Sequence, residues 1–445
     1  MREKNGGKVI ASGGFGCVFR PALKCQNQTT RDKNKITKLM LKKYAIEEYE
    51  DVVKYINTLK KIPNYEKYFL IDGFHLCTPH HLNEEDLRQF KEKCTALPKK
   101  DIVETNINQS IDKLLALNMP DGGIALDDYV NNINSYSLTI LLNNSLLDLL
   151  INGIIPMNNH HIYHCDIKDS NILVQKNEKN IILTRLIDWG LSTIYLPNKT
   201  HPLPKTWHNR PFQYNAPFSI VLFSDKFTEK YKSFLDKNKR VEISEIMLKT
   251  FIRQFIYYWL KERGSGHFKF INSIMYKLFF QNIPSYLFKM EDKKIKNKFI
   301  EKNVTIPYIM NYLYVILINY TQVTKNNYLV LDKYLNEVFI KIIDVYGFII
   351  SYYPFLEIYY DNYDLLTPNE LEIFNKLKKI FIKYLYEPTI QPISIVDLTN
   401  DIKSLNPLFK LAENLHAKSF HIMSKSFSHS KKKTTFTKTR KNRVI

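Results

Sequence analysis

Short apolar runs of strand length crowd the first part of this 445-residue chain, and long runs of helical period fill the rest. Lys8–Phe19 reads as a strand, a Gly-rich turn and a second strand, and Ile36–Leu41 as a third. Phe69–Ile71 has strand character. Lys113–Met119 does too, running into the breaker Pro120-Asp121-Gly122-Gly123. Ile172–Val174 and Leu183–Ile187 flank a polar turn, as in a hairpin. Glu47–Ile62 places Val52, Tyr55, Ile56 and Leu59 on one helical side, and Ser137–Ile155 is apolar at the same period. Residues 75–112 are polar and carry no clear period. Strands first and helices later imply an α+β fold, a sheet-rich lobe followed by a helical one.

At 44% hydrophobic and 13% aromatic, the chain can bury a large core, which excludes wholesale disorder. The five cysteines, Cys17, Cys25, Cys77, Cys94 and Cys165, include no CxxC pair. That spacing argues against a disulfide scaffold or a zinc ribbon and for a reducing compartment. Residues 1–14 contain no apolar leader segment, and the apolar run near Ile306–Tyr320 is interrupted by Asn311 and Asn319. It falls short of the roughly 18–20 clean residues of a membrane span. The expectation is an intracellular protein with no membrane span.

Three motifs carry chemistry. Ser12-Gly13-Gly14-Phe15-Gly16-Cys17-Val18 is a glycine turn whose amides can approach phosphate oxygens. His164-Cys165-Asp166-Ile167-Lys168-Asp169-Ser170-Asn171 follows an apolar helix and precedes a strand-like run. An Asp here can accept a proton from an attacking hydroxyl, a Lys two residues on can neutralise a phosphoryl group, and an Asn five residues on can hold Mg²⁺. Leu186-Ile187-Asp188-Trp189-Gly190 puts a carboxylate at a strand end beside a Gly, which suits a hard cation.

In this order the three resemble the eukaryotic-type protein kinase superfamily, which reads HRDLxxxN and DFG where this chain has HCDIKDSN and DWG. The resemblance covers roughly residues 8–217 and 344–405. The layout is most similar to divergent serine/threonine kinases of large DNA viruses of the mimivirus type. The resemblance implies a two-lobed kinase-like fold, with a small β-rich N-lobe and a large, mostly helical C-lobe carrying a long insertion. The lobes would be residues 1–117, with an extension at about 73–110, and residues 118–416, with the insertion at about 218–343. A tail, 417–445, would follow.

The same resemblance implies that ATP is held by Gly13, Gly14, Phe15, Gly16, Val18 and Lys38. Glu48 would hold that lysine, because it shares the inward face of Val52 and Ile56, with Glu47 and Glu50 as alternatives. Met119 would be the hinge residue and Leu117 the residue behind the adenine. Mg²⁺ would be held by Asn171 and Asp188, Asp166 would position the acceptor hydroxyl, and Lys168 would stabilise the phosphoryl in flight. Ala216-Pro217 resembles the start of the APE motif, and Asp344 the buried Asp that braces the catalytic loop. Keeping Lys38, Asp166, Lys168, Asn171 and Asp188 implies an active serine/threonine protein kinase. If the chain is viral, host cytoplasm or virion follows.

The departures are informative. Ala11 stands where the first loop glycine is expected. Cys165 replaces the arginine that usually pairs with a phosphorylated activation loop, which implies activity without that phosphate. Phe218 stands at the APE glutamate, and Gln391 at its arginine partner. Losing both ends of a buried ion pair implies a repacked lobe, whereas losing one leaves a charge unpaired at about 3–5 kcal/mol.

Two rival readings stand beside the kinase. One is a kinase-fold phosphotransferase acting on a small molecule. The other is a catalytically weak kinase-like scaffold. A zinc site from Cys77, His80, His81 and Cys94, and a metal cluster from His160, His161, His164 and Cys165, are weaker alternatives. Charge separates the parts: 64 basic and 44 acidic residues give +20. The insertion holds 21 basic and 11 acidic residues, and the tail nine basic and none acidic. The rest carries 34 − 33 = +1. The basic character therefore marks the two additions as docking features for a nucleic-acid or other acidic partner, apart from the protein substrate. The Lys293–Lys298 run reads as a solvated helix face.

Overall fold

In a computed structural model, the described residues are 7–177, 179, 181–197, 203–239, 241–284, 292–323, 329–388 and 390–415. The basic tail lies outside them. The fold is mixed α+β, with a small antiparallel sheet near the N-terminus and a helical C-terminal part. It divides into two compact units. The first runs to Gly123 and takes back Arg185–Gly190; the second is Ile124–Thr184 and the chain from Leu191.

The first unit is built on β1 (Lys8–Ser12), β2 (Gly16–Arg20), β3 (Lys35–Leu41), β4 (His75–Cys77) and β5 (Leu114–Pro120), in the spatial order β1-β2-β3-β5-β4. Helix α1 (Lys42–Leu59) starts earlier than its periodicity suggests and buries Val52, Tyr55 and Leu59, as their spacing requires. Phe69–Ile71 is not a strand: Phe69 makes an isolated parallel bridge to Leu186. Returning residues complete this corner. Leu186 N–H donates to Tyr68 O at 2.8 Å, and Trp189 packs on Tyr55 and Phe69.

Residues 78–113, unreadable by period, form short helical turns that cover the β1 edge of the sheet. Val9 N–H donates to Arg88 O at 3.3 Å. Asp86, 1% exposed, takes both Arg31 nitrogens at 2.6 Å and the Gly7 N–H at 2.7 Å. Phe90, Leu97, Ile102 and Ile107 join Val9, Phe19 and Leu39 in one buried cluster. Four of the five cysteines pair, against the expectation from spacing: Cys17 with Cys94 and Cys25 with Cys77. Their sequence separations, 77 and 52, carry no local signature.

The second unit is helical around a small sheet. Ile172–Lys176 and Ile182–Leu186 form the expected hairpin region with Ile124–Ala125 alongside. Tyr136–Asp148 continues through a wider turn to Asn159, and Ile306–Tyr320 is helical with Ile309, Leu313 and Ile316 fully buried. The longest apolar helical stretches are elsewhere. Tyr136–Asn159 and Asp332–Asp361 are long and apolar enough to cross a membrane, with 50% and 94% of their apolar windows buried in the fold. The 94% burial of Asp332–Asp361 is what a core helix shows. Phe218, 1% exposed, packs on Tyr312 and Tyr386, while Gln391 is exposed. Phe218 is thus held by aromatic packing, and Gln391 lies at the surface. Lys293–Ile300 is a helix with a mostly exposed face.

Candidate active site

The first unit gathers one half of the expected residues. Register places Lys38 on β3 between Val18 of β2 and Leu117 of β5. Its ammonium lies 2.6 Å from Glu48 Oε1 on α1. Burial lowers the Lys38 pKa, but the charges of Glu48 and Asp188 overcome this and raise it, so the amine stays protonated. Glu47 faces Lys43 instead, and Glu50 is exposed. Helical periodicity thus selected Glu48.

The glycine turn closes with Gly13 N–H donating to Gly16 O at 2.9 Å. A Cβ on Gly13 would sit 3.5 Å from Lys38 Cε, so the turn passes beside that side chain. At Gly16 a Cβ would meet Leu39 O at 2.5 Å, which no side chain tolerates. Gly14 is exposed, and the exposed Phe15 ring stacks on Tyr44 at 4.6 Å. Ser12 Oγ accepts the N–H groups of Thr95 and Ala96, each at 3.1 Å, so the 78–113 segment also braces this turn. Met119 is half-buried opposite Ile36, packing with Met40, Ala45 and Leu117. Asp188 is exposed, with φ of 70°, a left-handed conformation that turns the chain after Leu186.

The second unit gathers the other half. Asp166, 3% exposed, accepts Lys168 Nζ at 2.6 Å. Asn171 Nδ2 donates to the Asp166 carbonyl at 2.8 Å and to its carboxylate at 3.1 Å. Burial pushes the Asp166 carboxyl up, but the Lys168 ammonium and the Asn215 amide overcome this and bring it to about 2. It is therefore ionised at neutral pH.

Asp344 holds this loop from the buried helix Ile340–Ile350. Its carboxylate accepts the N–H of His164 at 2.8 Å, the N–H of Cys165 at 2.7 Å and Asn158 Nδ2 at 2.7 Å. One turn on, a Cβ on Gly347 would lie 2.6 Å from Ile167 O, so the helix backbone rests directly on the loop. Cys165 has φ of 60° and a buried thiol that burial and Asp344 push far up, so it is neutral.

Three residues here escaped the sequence reading. Asn215 Nδ2 donates to Asp166 Oδ1 at 2.9 Å and to Ile167 O at 3.2 Å. Arg210, 6% exposed, donates to Cys165 O at 3.0 Å, and Trp207 Nε1 donates to Cys165 Sγ at 2.9 Å. Only the adjacency of Asn215 to Ala216-Pro217 pointed to any of them.

Asp169 is half-buried, and burial together with the Asp127 carboxylate pushes its carboxyl up to about 7. A carboxyl raised in the folded state binds a proton that the unfolded chain has already lost. Its contribution is therefore favourable below about pH 4 and is lost as pH rises to 7. Allowing for partial exposure, the loss is about 2 kcal/mol. We expect Asp169→Asn to gain more melting temperature over wild type at pH 7.5 than at pH 5. An equal difference at both pH values would remove this assignment.

The zinc set read from sequence does not gather. Cys77 and Cys94 lie in different disulfides, and His80 and His81 are exposed with their rings edge-on to each other. Among the described residues, the group of three His, Cys, Asp or Glu whose ligand atoms converge, within 4.8 Å, is Cys25, His75 and Cys77. His160, His161, His164 and Cys165 form no such group among those residues. No protein-family model matches the chain, and no curated protein matches it.

Proposed function

We propose that this chain is an ATP- and Mg²⁺-dependent protein kinase of the two-lobed kinase-like fold, transferring the γ-phosphoryl group to serine or threonine hydroxyls. The observation that carries the reading is the Asp166–Lys168–Asn171 constellation. An ionised carboxylate, an ammonium bonded to it and an amide oriented on it are held on a loop that a buried carboxylate braces. Phosphoryl transfer asks mainly for positioning and charge stabilisation, and these are the groups that supply both.

The residues suit the nucleotide and the cation. Gly13 is exposed and leaves open space beside the Lys38 side chain, whereas Gly16 is needed for the close approach of β3. Asn171 directs its N–H groups at Asp166, which leaves its amide oxygen to face a cation, and Asp188 offers an exposed carboxylate. Both are the hard oxygen donors that Mg²⁺ prefers. Bound Mg²⁺ would neutralise charge on the phosphates. Lys38, fixed by Glu48, binds phosphate oxygens. Asp166 orients the acceptor hydroxyl and takes its proton, and Lys168 offsets the charge that develops on the transferred group.

Wild-type protein with ATP and Mg²⁺ is expected to label a generic protein substrate on serine or threonine, and Asp188→Ala to lose that labelling. Transfer to a small molecule alone would favour the phosphotransferase reading. Absence of both transfer and an ATP·Mg²⁺ shift in melting temperature would favour the scaffold.

A further inference from the structure

The two disulfides of the first unit differ in chemistry. Cys17 and Cys94 are 0% and 2% exposed and lie within the apolar cluster. Cys25 is buried, but Cys77 is only half-buried and has the exposed His75 beside it. β4 explains the convergence. His75 and Cys77 are two residues apart on one strand and so share a face of the sheet. His75 is opposite Asn118 of β5, and Asn118 is opposite Thr37 of β3. Asn118 Nδ2 donates to Cys25 Sγ at 3.3 Å and Cys77 Sγ at 3.8 Å, while its carbonyl accepts the Thr37 hydroxyl.

We propose that Cys25, Cys77 and His75 form a binding site for a soft divalent cation of the zinc class once a dithiol reductant has opened the Cys25–Cys77 bond. In that step the dithiol is oxidised to its own disulfide, and two electrons and two protons pass to Cys25 and Cys77. The cation then displaces the two thiol protons to solvent and takes both sulfurs and one imidazole nitrogen, which leaves a fourth tetrahedral position for water. Two thiolates with an imidazole select zinc-like ions over Mg²⁺ or Ca²⁺.

The site is preorganised without the covalent bond. Gln26 N–H donates to Thr78 O at 3.0 Å and His80 N–H to Lys24 O at 2.7 Å, with a bridge between Cys25 and Pro79. These backbone bonds hold the two thiols together after reduction. A tetrahedral ion asks the sulfurs to stand about 3.8 Å apart. The three-residue edge strand β4 and the loop carrying Cys25 can supply that adjustment. The Asn118 amide, fixed by Thr37, is the outer donor that orients the sulfurs. The pair Cys17–Cys94 lies outside this converging group.

The test uses the full chain, reduced with a dithiol, desalted without oxygen and titrated with Co²⁺. We expect one equivalent to bind with a thiolate-to-cobalt charge-transfer band, Zn²⁺ to bleach that band, and the unreduced protein to give none. His75→Ala, a change at an exposed position, is expected to weaken binding about tenfold or more. Zn²⁺ is expected to protect Cys25 and Cys77, in the unmutated reduced protein, from alkylation read by mass spectrometry. The proposal is overturned if reduced protein shows no charge-transfer band. It is overturned equally if His75→Ala titrates like wild type, or if Zn²⁺ leaves the alkylation of Cys25 and Cys77 unchanged.

Discussion

Replacing Asp166 by Asn is expected to lower phosphoryl transfer about 10²–10⁴-fold while the melting-temperature shift given by ATP and Mg²⁺ persists. The side chain is the shared acceptor of Lys168, Asn171 and Asn215. Its carboxyl is held down at about 2, so it is ionised at neutral pH and, on the proposed reading, free to accept a hydroxyl proton. Asn keeps the shape and can still accept from one amide, but it cannot take a proton. Ala is the harsher test: the Lys168 side chain is only 10% exposed and would lose its carboxylate, at a cost of about 3–5 kcal/mol for a buried charge left unpaired. Asn keeps one acceptor oxygen and so disturbs the loop less than Ala, but it too takes the counter-charge from Lys168, so the melting temperature of the variant is read beside its transfer rate. Transfer by Asp166→Asn within a few fold of wild type would end the catalytic assignment of this loop.

The second large effect is on stability. Asp344→Ala removes the acceptor of two buried backbone N–H groups and of the half-buried Asn158 amide in the second unit. Each orphaned buried donor costs about 1–3 kcal/mol. Even with partial relaxation, a loss of about 3 kcal/mol is expected, which for a unit of this size corresponds to a fall of roughly 3–5 °C in the melting temperature. Transfer should fall as well, because the N–H groups of His164 and Cys165 are what hold the loop beside Asp166. Asp344→Asn, which keeps one acceptor oxygen, should fall between. A melting temperature within about 2 °C of wild type for Asp344→Ala would show that the helix does not brace the loop.

Much of this was legible because the relevant signals are local. The alternation around Gly13–Gly16, the helical face shared by Glu48 and Val52, and the spacing from Asp166 to Asn171 each lie within a few residues, and geometry follows spacing at that range. Asp344 was legible only through resemblance, since it acts 179 and 180 residues away from its partners. The missed features are all products of tertiary packing. Asn215 and Arg210 reach the loop from a segment whose own sequence has no period. Cys25 and Cys77 meet because a polar stretch folds back on the sheet, and nothing in their spacing announces it. Phe69–Ile71 has strand composition but finds only one bridging neighbour, so composition alone overstated it.

The 78–113 segment has a practical consequence. By the resemblance most of it belongs to the extension at about 73–110, the natural piece to excise when shortening the chain. Excision would strip Phe90, Leu97, Ile102 and Ile107 from the shared cluster and free the Val9 N–H. It would also leave β1 as a bare sheet edge, open to pairing with other copies of the chain. A shortened protein should accordingly aggregate, and any minimal version must carry this segment along.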